Sequence, residues 1–362
     1  MVAESCYYAV IVLFEVPTGA VADYFGRSRS LAAGAFGTSL ACMVIYCFDS
    51  YVPLLVAQVI FGISTTLMSG ADSAFLYDTV SAMGVPGEYT KYEGRSYALG
   101  LLSTAGSVAV GGFMAQRAAL ATPFLANAVV AAMAGVVALT LPEVQRGTDG
   151  RTRHRVYWRL IGGAFVTVRR DPALVMVMLS YAIFVTCTQV AIWLNQMFLK
   201  HVGVGVQYVG LLLASLSLFS GLVSWNAYRW QRWLQPATLI RAALLLYPLS
   251  FSAAGLFAAP AGVLALYLQP LAKGVFFPTC RAMVNDRIGA DSRATVLSLL
   301  SAAGNVTFIF CGPILGRLMD AVPLPPALLI AAGLVVVAAG GVAILGRRIG
   351  GRASERQAGG ER

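Results

Sequence analysis

Residues 19–29 read Gly19-Ala-Val-Ala-Asp23-Tyr-Phe-Gly26-Arg27-Ser-Arg29, a short charged turn set between two long apolar runs. Outward from that turn the same alternation of apolar run and brief polar connection continues along the chain. With 58% apolar and 12% charged residues and a mean hydropathy of +0.74, the chain has too little polar surface to clothe a soluble globule. A hydrocarbon core about 30 Å thick requires roughly 20 apolar residues per helical span. Eleven runs of that kind are legible: 2–22, 30–48, 52–80, 95–115, 121–141, 173–199, 206–228, 237–258, 261–284, 293–315 and 325–346. They lack period-two polarity and far exceed the roughly ten residues of a barrel strand. The expected fold class is an all-α polytopic membrane protein.

Basic residues give the orientation, because cytoplasmic loops and helix ends retain Lys and Arg. With the 19–29 turn in the cytoplasm, every Lys and Arg except Arg117, Lys200, Arg317 and the intramembrane Lys273 falls on that side, the residues from Arg347 onward included. The C-terminus is then cytoplasmic and the chain multi-pass in a plasma or inner membrane. The net charge of +10 reads as a topology signal with contact to anionic lipid, and nucleic acid is not the implied partner.

The turn resembles the signature G-x-x-x-D-[RK]-x-G-[RK]-[RK] that joins helices 2 and 3 of major facilitator superfamily transporters. Gly19, Asp23, Gly26 and Arg27 match; Tyr24 and Ser28 stand where basic residues are usual, and Arg29 follows one place late. Glu15-Val-Pro17-Thr-Gly19 is similar to the end of helix 2 in one branch of that superfamily. The resemblance implies two pseudo-symmetric helical bundles that work by alternating access.

A repeat is visible without any resemblance. Arg95-Ser-Tyr-Ala-Leu-Gly-Leu-Leu-Ser-Thr-Ala-Gly-Ser-Val108 and Arg293-Ala-Thr-Val-Leu-Ser-Leu-Leu-Ser-Ala-Ala-Gly-Asn-Val306 are identical at eight of fourteen positions without a gap. Both begin with Arg at a cytoplasmic helix entry, so they run the same way through the membrane, as parallel halves do. In the superfamily's frame they would be helices 5 and 11. Only three spans precede Arg95, so the chain is expected to start at helix 2. That reading implies a shortened or misassigned start, or a true eleven-helix variant. The expected organisation is an N-terminal bundle over 1–141 (helices 2–6), a basic cytoplasmic linker over 142–172, a C-terminal bundle over 173–346 (helices 7–12), and a disordered tail over 347–362. The linker's basic and aromatic residues, from Arg151 to Arg170, suit either an amphipathic helix on the inner leaflet or a solvated connection.

An ionisable side chain near the bilayer centre costs about 2.5–3.5 kcal/mol on insertion scales, so it needs a partner or a water-filled cavity. Asp72 and Lys273 are the two deepest. By the resemblance they fall on helices 4 and 10 and line a central cavity, where they bind substrate, exchange a proton, or pair with each other. A fixed ion pair fastening the halves is the structural alternative. Gln189, Trp193, Asn195 and Gln196 add polar and aromatic lining, though helical spacing prevents all four from sharing one face. Glu15 is a candidate gate residue; Glu4 lies near the outer end of its span, and Arg281 is close enough to a helix end to snorkel.

Asp78 closes helix 4 on the cytoplasmic side. The resemblance implies a conformational latch of Gly19, Asp23, Gly26, Arg27 and Asp78 that holds when the cavity faces outward and loosens when it opens inward. The plainer reading is a topogenic turn whose glycines permit close packing. The corresponding turn in the second half, Ser224 to Pro236, keeps basic character but lacks the Asp and both Gly, and Trp225, Trp230 and Trp233 read there as interfacial anchors. The superfamily's antiport signature in helix 5 is incomplete, with Gly106, Gly111 and Gly112 but no preceding Pro. Gly312-Pro313-Ile-Leu-Gly316 resembles it in helix 11.

Enzymatic chemistry finds little support. His154 and His201 lack metal-ligand spacing, no G-x-S-x-G, H-E-x-x-H or P-loop occurs, and six scattered cysteines form no C-x-x-C. No cofactor or metal is implied. The expected activity is secondary, proton-coupled export of a small organic, drug-like compound by a monomer. The alternatives are a sugar or metabolite uptake permease, a transport-inactive receptor or scaffold, and, more remotely, an intramembrane acyltransferase or protease.

Overall fold

The computed structural model describes residues 1–69, 71–85, 88–143, 162–163, 165–288 and 290–360. The described residues are helical throughout their long elements and contain no strand. In chain order the helices are α1 (Val2–Phe25), α2 (Arg27–Cys47), α3 (Tyr51–Ser69), α4 (Asp72–Ala82), α5 (Tyr89–Arg117) and α6 (Thr122–Thr140). After the linker come α7 (Pro172–His201), α8 (Val206–Trp225), α9 (Ala227–Trp233), α10 (Pro236–Leu256), a 3-10 segment (Pro260–Tyr267), α11 (Leu268–Arg287), α12 (Ala290–Ala321) and α13 (Leu324–Gly360).

Nine helices among the described residues are long and apolar enough to cross a membrane. They account for nine of the eleven expected spans. The other two, 2–22 and 95–115, are helical as α1 and α5 but fall outside the nine. Both are diluted by polar residues: Glu4 and Glu15 in α1, and a run of Ser, Thr and Gly in α5. The stretch expected as one span over 52–80 is one candidate span, Tyr51–Ala82, within which α3 runs to Ser69 and α4 from Asp72. At the other end, the expected disordered tail is corrected in part: α13 continues as helix to Gly360. Its Ala, Arg, Glu and Gln residues are good helix formers, and they outweigh the scattered glycines. Residues 144–161, most of the expected amphipathic linker, lie outside the described residues.

The chain divides into two compact units. The first is built on Val2–Val156 with Val206–Ala214, so the start of α8 groups with the N-terminal helices. Within it α2 packs on α3 and α6, and α1 packs on α3. The buried face of α2 is made of small residues, Ser28, Ser30, Ala32, Gly34, Ala35 and Ala41, which is how membrane helices approach closely without a hydrophobic force between them. Serine hydroxyls then bridge the helices. Ser28 donates to the Ala138 carbonyl at 2.6 Å, Ser30 to Leu67 at 2.9 Å and Ser39 to Ala128 at 2.7 Å.

The second unit comprises Met1, Tyr157–Gly205 and Ser215–Arg362. Here α7 packs on α12 and α13, and α10 on α11 and α13. Its core is aromatic rather than small. Phe184 of α7 stacks on Phe276 of α11 with centroids 3.8 Å apart and planes 3° from parallel, and Tyr247 of α10 meets Phe184 edge-on at 5.2 Å. Such contacts add about 0.5–1.5 kcal/mol each beyond area burial.

Candidate functional site

The 19–29 turn is where α1 gives way to α2. Gly19 and Asp23 lie in the last turns of α1; the Asp23 side chain lies outside what the structure describes. Gly26 links the helices at φ 105° and ψ 146°, a left-handed backbone region that only glycine enters without strain. Helix α2 therefore starts at Arg27 with its first N–H groups exposed, and they need acceptors. Glu143, just past the end of α6, supplies them. One carboxylate oxygen accepts from the Arg27 N–H at 2.6 Å and the other from the Ser28 N–H at 3.0 Å. A carboxylate in that position is also favoured by the positive end of the helix dipole.

The Arg27 guanidinium reaches Asp78 near the end of α4, with Nη1 to Oδ2 at 2.6 Å. Both side chains are largely sequestered, 12% and 8% exposed, so this charge-assisted bond is less screened than a surface pair. The structure thus joins three expected latch positions, Gly26, Arg27 and Asp78, and adds Glu143. Glu143 falls inside the expected linker, 142–172; the signal that could have found it is an acid directly after the Pro142 that ends an apolar span.

The other expected site residues divide between the two units, Glu15 and Asp72 in the first and Gln189, Trp193, Asn195 and Lys273 in the second. Asp72 is exposed in the first turn of α4. Glu15 is exposed on α1, two residues before Pro17. On α7, Gln189 and Trp193 are half-buried and Gln196 is exposed. Asn195 points into the second unit's own core, 6% exposed. Its amide donates to the Gln269 oxygen at 2.7 Å and accepts from the Gln269 amide at 3.0 Å. Gln269 also donates to the Ser250 hydroxyl at 3.0 Å. The three residues tie α7, α10 and α11 together, and Gln269 and Ser250 were not anticipated from the sequence. Lys273 is half-buried on α11 and, within its own unit, makes no ion pair among the described residues.

The second unit has a polar fastening of a different design at its own helix ends. Asp171 caps α7, accepting from the Ala173 N–H at 2.8 Å, and its other oxygen lies 3.3 Å from the Arg287 guanidinium at the end of α11. Nearby chain between α8 and α10 forms the short α9. Ala227 is buried and Gln231 donates to Thr279 at 3.4 Å, so one face of α9 is held to the bundle. Trp225, Trp230 and Trp233 remain 82%, 46% and 86% exposed, beside exposed Arg229 and Arg232. Leu222, Val223, Asn226, Arg229, Trp230, Trp233 and Leu234 line an open cleft of about 810 Å³ there.

Many apolar spans, two helical units and a paired turn between α1 and α2 define a polytopic membrane transport protein. Residues 2–268 match the family model described as Major Facilitator Superfamily, and the chain belongs to that family. Its fold is similar to that of a mutant of the nucleoside transporter NupG, at TM-score 0.80 and 14% identity over 95% of this chain and 90% of that one. It is also similar to the peptide transporter POT in complex with sulfate, at TM-score 0.73 and 15% identity over 96% and 85%. A POT family transporter in complex with 5-aminolevulinic acid gives TM-score 0.68 and 12% identity over 95% and 87%. The chain is a transport protein and not an enzyme.

Proposed function

We propose that the protein is a proton-coupled, alternating-access exporter of a small organic compound, acting as a monomer in the plasma or inner membrane with its C-terminus in the cytoplasm. The observation that carries the reading is the Arg27–Asp78 pair at 2.6 Å, set beside the Glu143 cap on α2. The ion pair is part-buried and the cap partly exposed, both at the ends of helices that a transport cycle moves. A few such bonds bias a two-state equilibrium by a few kcal/mol, enough to hold one state and release it on demand. Glu15 acts as a gate, while Asp72, Lys273, Gln189 and Trp193 contribute to the substrate and proton path. The exposed tryptophans and arginines of α9 rest on anionic lipid of the inner leaflet.

The test is transport by the purified protein in proteoliposomes under an imposed proton gradient, with a panel of organic compounds of each charge. Gradient-dependent movement out of the cytoplasmic-equivalent face is expected. Movement only toward that face assigns the chain instead as an uptake permease for a sugar or other metabolite. No movement of any compound under any gradient assigns it as a receptor or scaffold.

A further inference from the structure

From Pro172 to Asn285 the sequence contains no Asp or Glu, yet it contains Lys200, Arg229, Arg232, Arg241, Lys273 and Arg281. Helices α7 to α10, and α11 as far as Asn285, therefore carry cations and no carboxylate. Most of these cations have an easy outlet. Lys200 is in the last turn of α7, Arg229 and Arg232 are on the α9 turn, Arg241 is near the start of α10, and Arg281 is exposed late in α11. Long basic side chains at such places reach headgroups and water.

Lys273 has no such outlet. Val284 ends its span, and at 1.5 Å per residue that end is about 16 Å away along the helix. The unit's other carboxylates cannot come to it along its helices. Asp171 is engaged by Ala173 and Arg287. Asp286, Asp291 and Asp320 stand at the end of α11 and the two ends of α12, and α13 holds no acid before Glu355. One side of α11 is spent on the core, with Ala272, Phe276, Thr279, Cys280 and Val284 buried. Lys273, Phe277 and Arg281 follow at intervals of four along another side and are less buried. Ionisable residues inside membrane spans face protein interior or a water-filled path, since hydrocarbon charges several kcal/mol for them. One turn further along α11, half-buried Phe277 meets half-buried Tyr181 of α7 at 5.6 Å, at the margin of the aromatic core where the Phe277 ring also meets Phe184 at 5.5 Å.

We propose that the transported compound is an organic anion, whose carboxylate or sulfonate supplies the counter-charge that the C-terminal bundle lacks at Lys273 and whose apolar body rests on Phe277 and Tyr181. This rests on the transport reading above and names its substrate class. A charge-assisted contact of this kind is roughly twice as strong as a neutral one, so the charge of the ligand and of residue 273 must matter together.

The test uses the purified full chain with 1-naphthoate, 1-naphthalenesulfonate and the neutral 1-naphthamide, with binding read from ligand-induced shifts in thermal unfolding. Both anions are expected to bind wild type, to bind Lys273→Gln at least about ten-fold more weakly, and to bind Lys273→Arg within about three-fold of wild type, on the strength of that charge-assisted contact. The amide is expected to bind weakly and equally in all three. Lys273→Arg keeps the charge and controls for folding. Anion binding unchanged in Lys273→Gln, amide binding equal to that of the anions, or no anion binding to wild type each overturns the assignment. So does a ten-fold gain in anion affinity in Asp72→Asn, which would show Asp72 already answering the Lys273 charge. Proteoliposome transport separates the two readings. Gradient-driven movement of neutral or cationic compounds alone overturns the anion and leaves transport standing. Charge-dependent naphthoate binding without any transport overturns transport and leaves the anion site.

Discussion

The Glu143 carboxylate occupies the space a side chain on Gly26 would need: a Cβ added at Gly26 would lie 2.7 Å from the Glu143 carboxyl carbon. The same glycine sits at φ 105°, so the backbone disfavours any other residue, and a Cβ there would also push the exposed Glu143 carboxylate aside. Gly26→Ala is expected to cost about 1–3 kcal/mol through backbone strain, with further loss as Glu143 is pushed from the two N–H groups it accepts. Glu143→Ala alone should cost about 1 kcal/mol, as losing a helix cap does. Because the two residues share one space, the double variant should be less destabilised than the sum. Thermal unfolding in detergent of the four proteins measures this, and strict additivity would show that Glu143 does not hold the turn.

Arg27 and Asp78 form the second relationship of that corner. Removing one partner of a sequestered pair takes from the other its counter-ion at 2.6 Å, at a cost of about 3 kcal/mol where burial is high. Asp78→Asn should therefore destabilise the protein more than the paired change of Arg27→Gln with Asp78→Asn, in which both charges are removed together. If the pair is a latch, Asp78→Asn also raises labelling of cysteines introduced on the cytoplasmic side of the cavity path. Unchanged labelling with lowered stability would reduce the pair to a structural fastener.

Asn195 and Gln269 exchange two amide hydrogen bonds inside the second unit, which predicts a packing defect rather than a change of substrate. Asn195→Leu leaves the Gln269 amide buried with only Ser250 as partner, and an unsatisfied buried group costs about 1–3 kcal/mol. Replacing both amides with Leu should recover most of that loss, since no polar group is then orphaned. Substrate preference measured with the transport panel should be the same in wild type and in the double variant. A shift in preference would put Asn195 back among the lining residues.

The difference between those corners shows what the chain's letters carry. Spans were legible because hydrocarbon thickness imposes a length and a composition on every helix, and Arg27 with Asp78 could be paired because the resemblance supplied a frame. Glu143 was not legible as a cap, since its partners are backbone N–H groups 115 and 116 residues away, and no periodicity records such a meeting. Asn195 shows the opposite difficulty. A polar residue on a membrane helix reads as lining, yet a partner amide on another helix, which helical spacing does not reveal, turns it inward. The Asp171–Arg287 pair escaped for a related reason: its acid lies inside the expected linker, 142–172, and its base is one of many arginines on the cytoplasmic side.

Helix α9 gives the last prediction. Gln231 and Ala227 hold one face to the bundle, and this fixes the other, with Trp233, like Trp225 at the end of α8, more than four-fifths exposed and Arg229 and Arg232 exposed nearby. Tryptophan favours the headgroup level, and each basic residue near an anionic surface contributes about 1 kcal/mol, screened within a Debye length. Replacing Arg229 and Arg232 with Gln should therefore abolish most of any stabilisation that phosphatidylglycerol gives over phosphatidylcholine, about 2 kcal/mol at low salt by that per-residue value. Raising salt should shrink the wild-type difference in the same direction. Replacing Trp225 and Trp233 with Ala should instead lower stability equally in both lipids, because interfacial anchoring by the ring does not depend on headgroup charge. Thermal unfolding in nanodiscs of each composition measures all three, and an arginine effect that is the same in both lipids would remove the electrostatic contact while leaving the aromatic one.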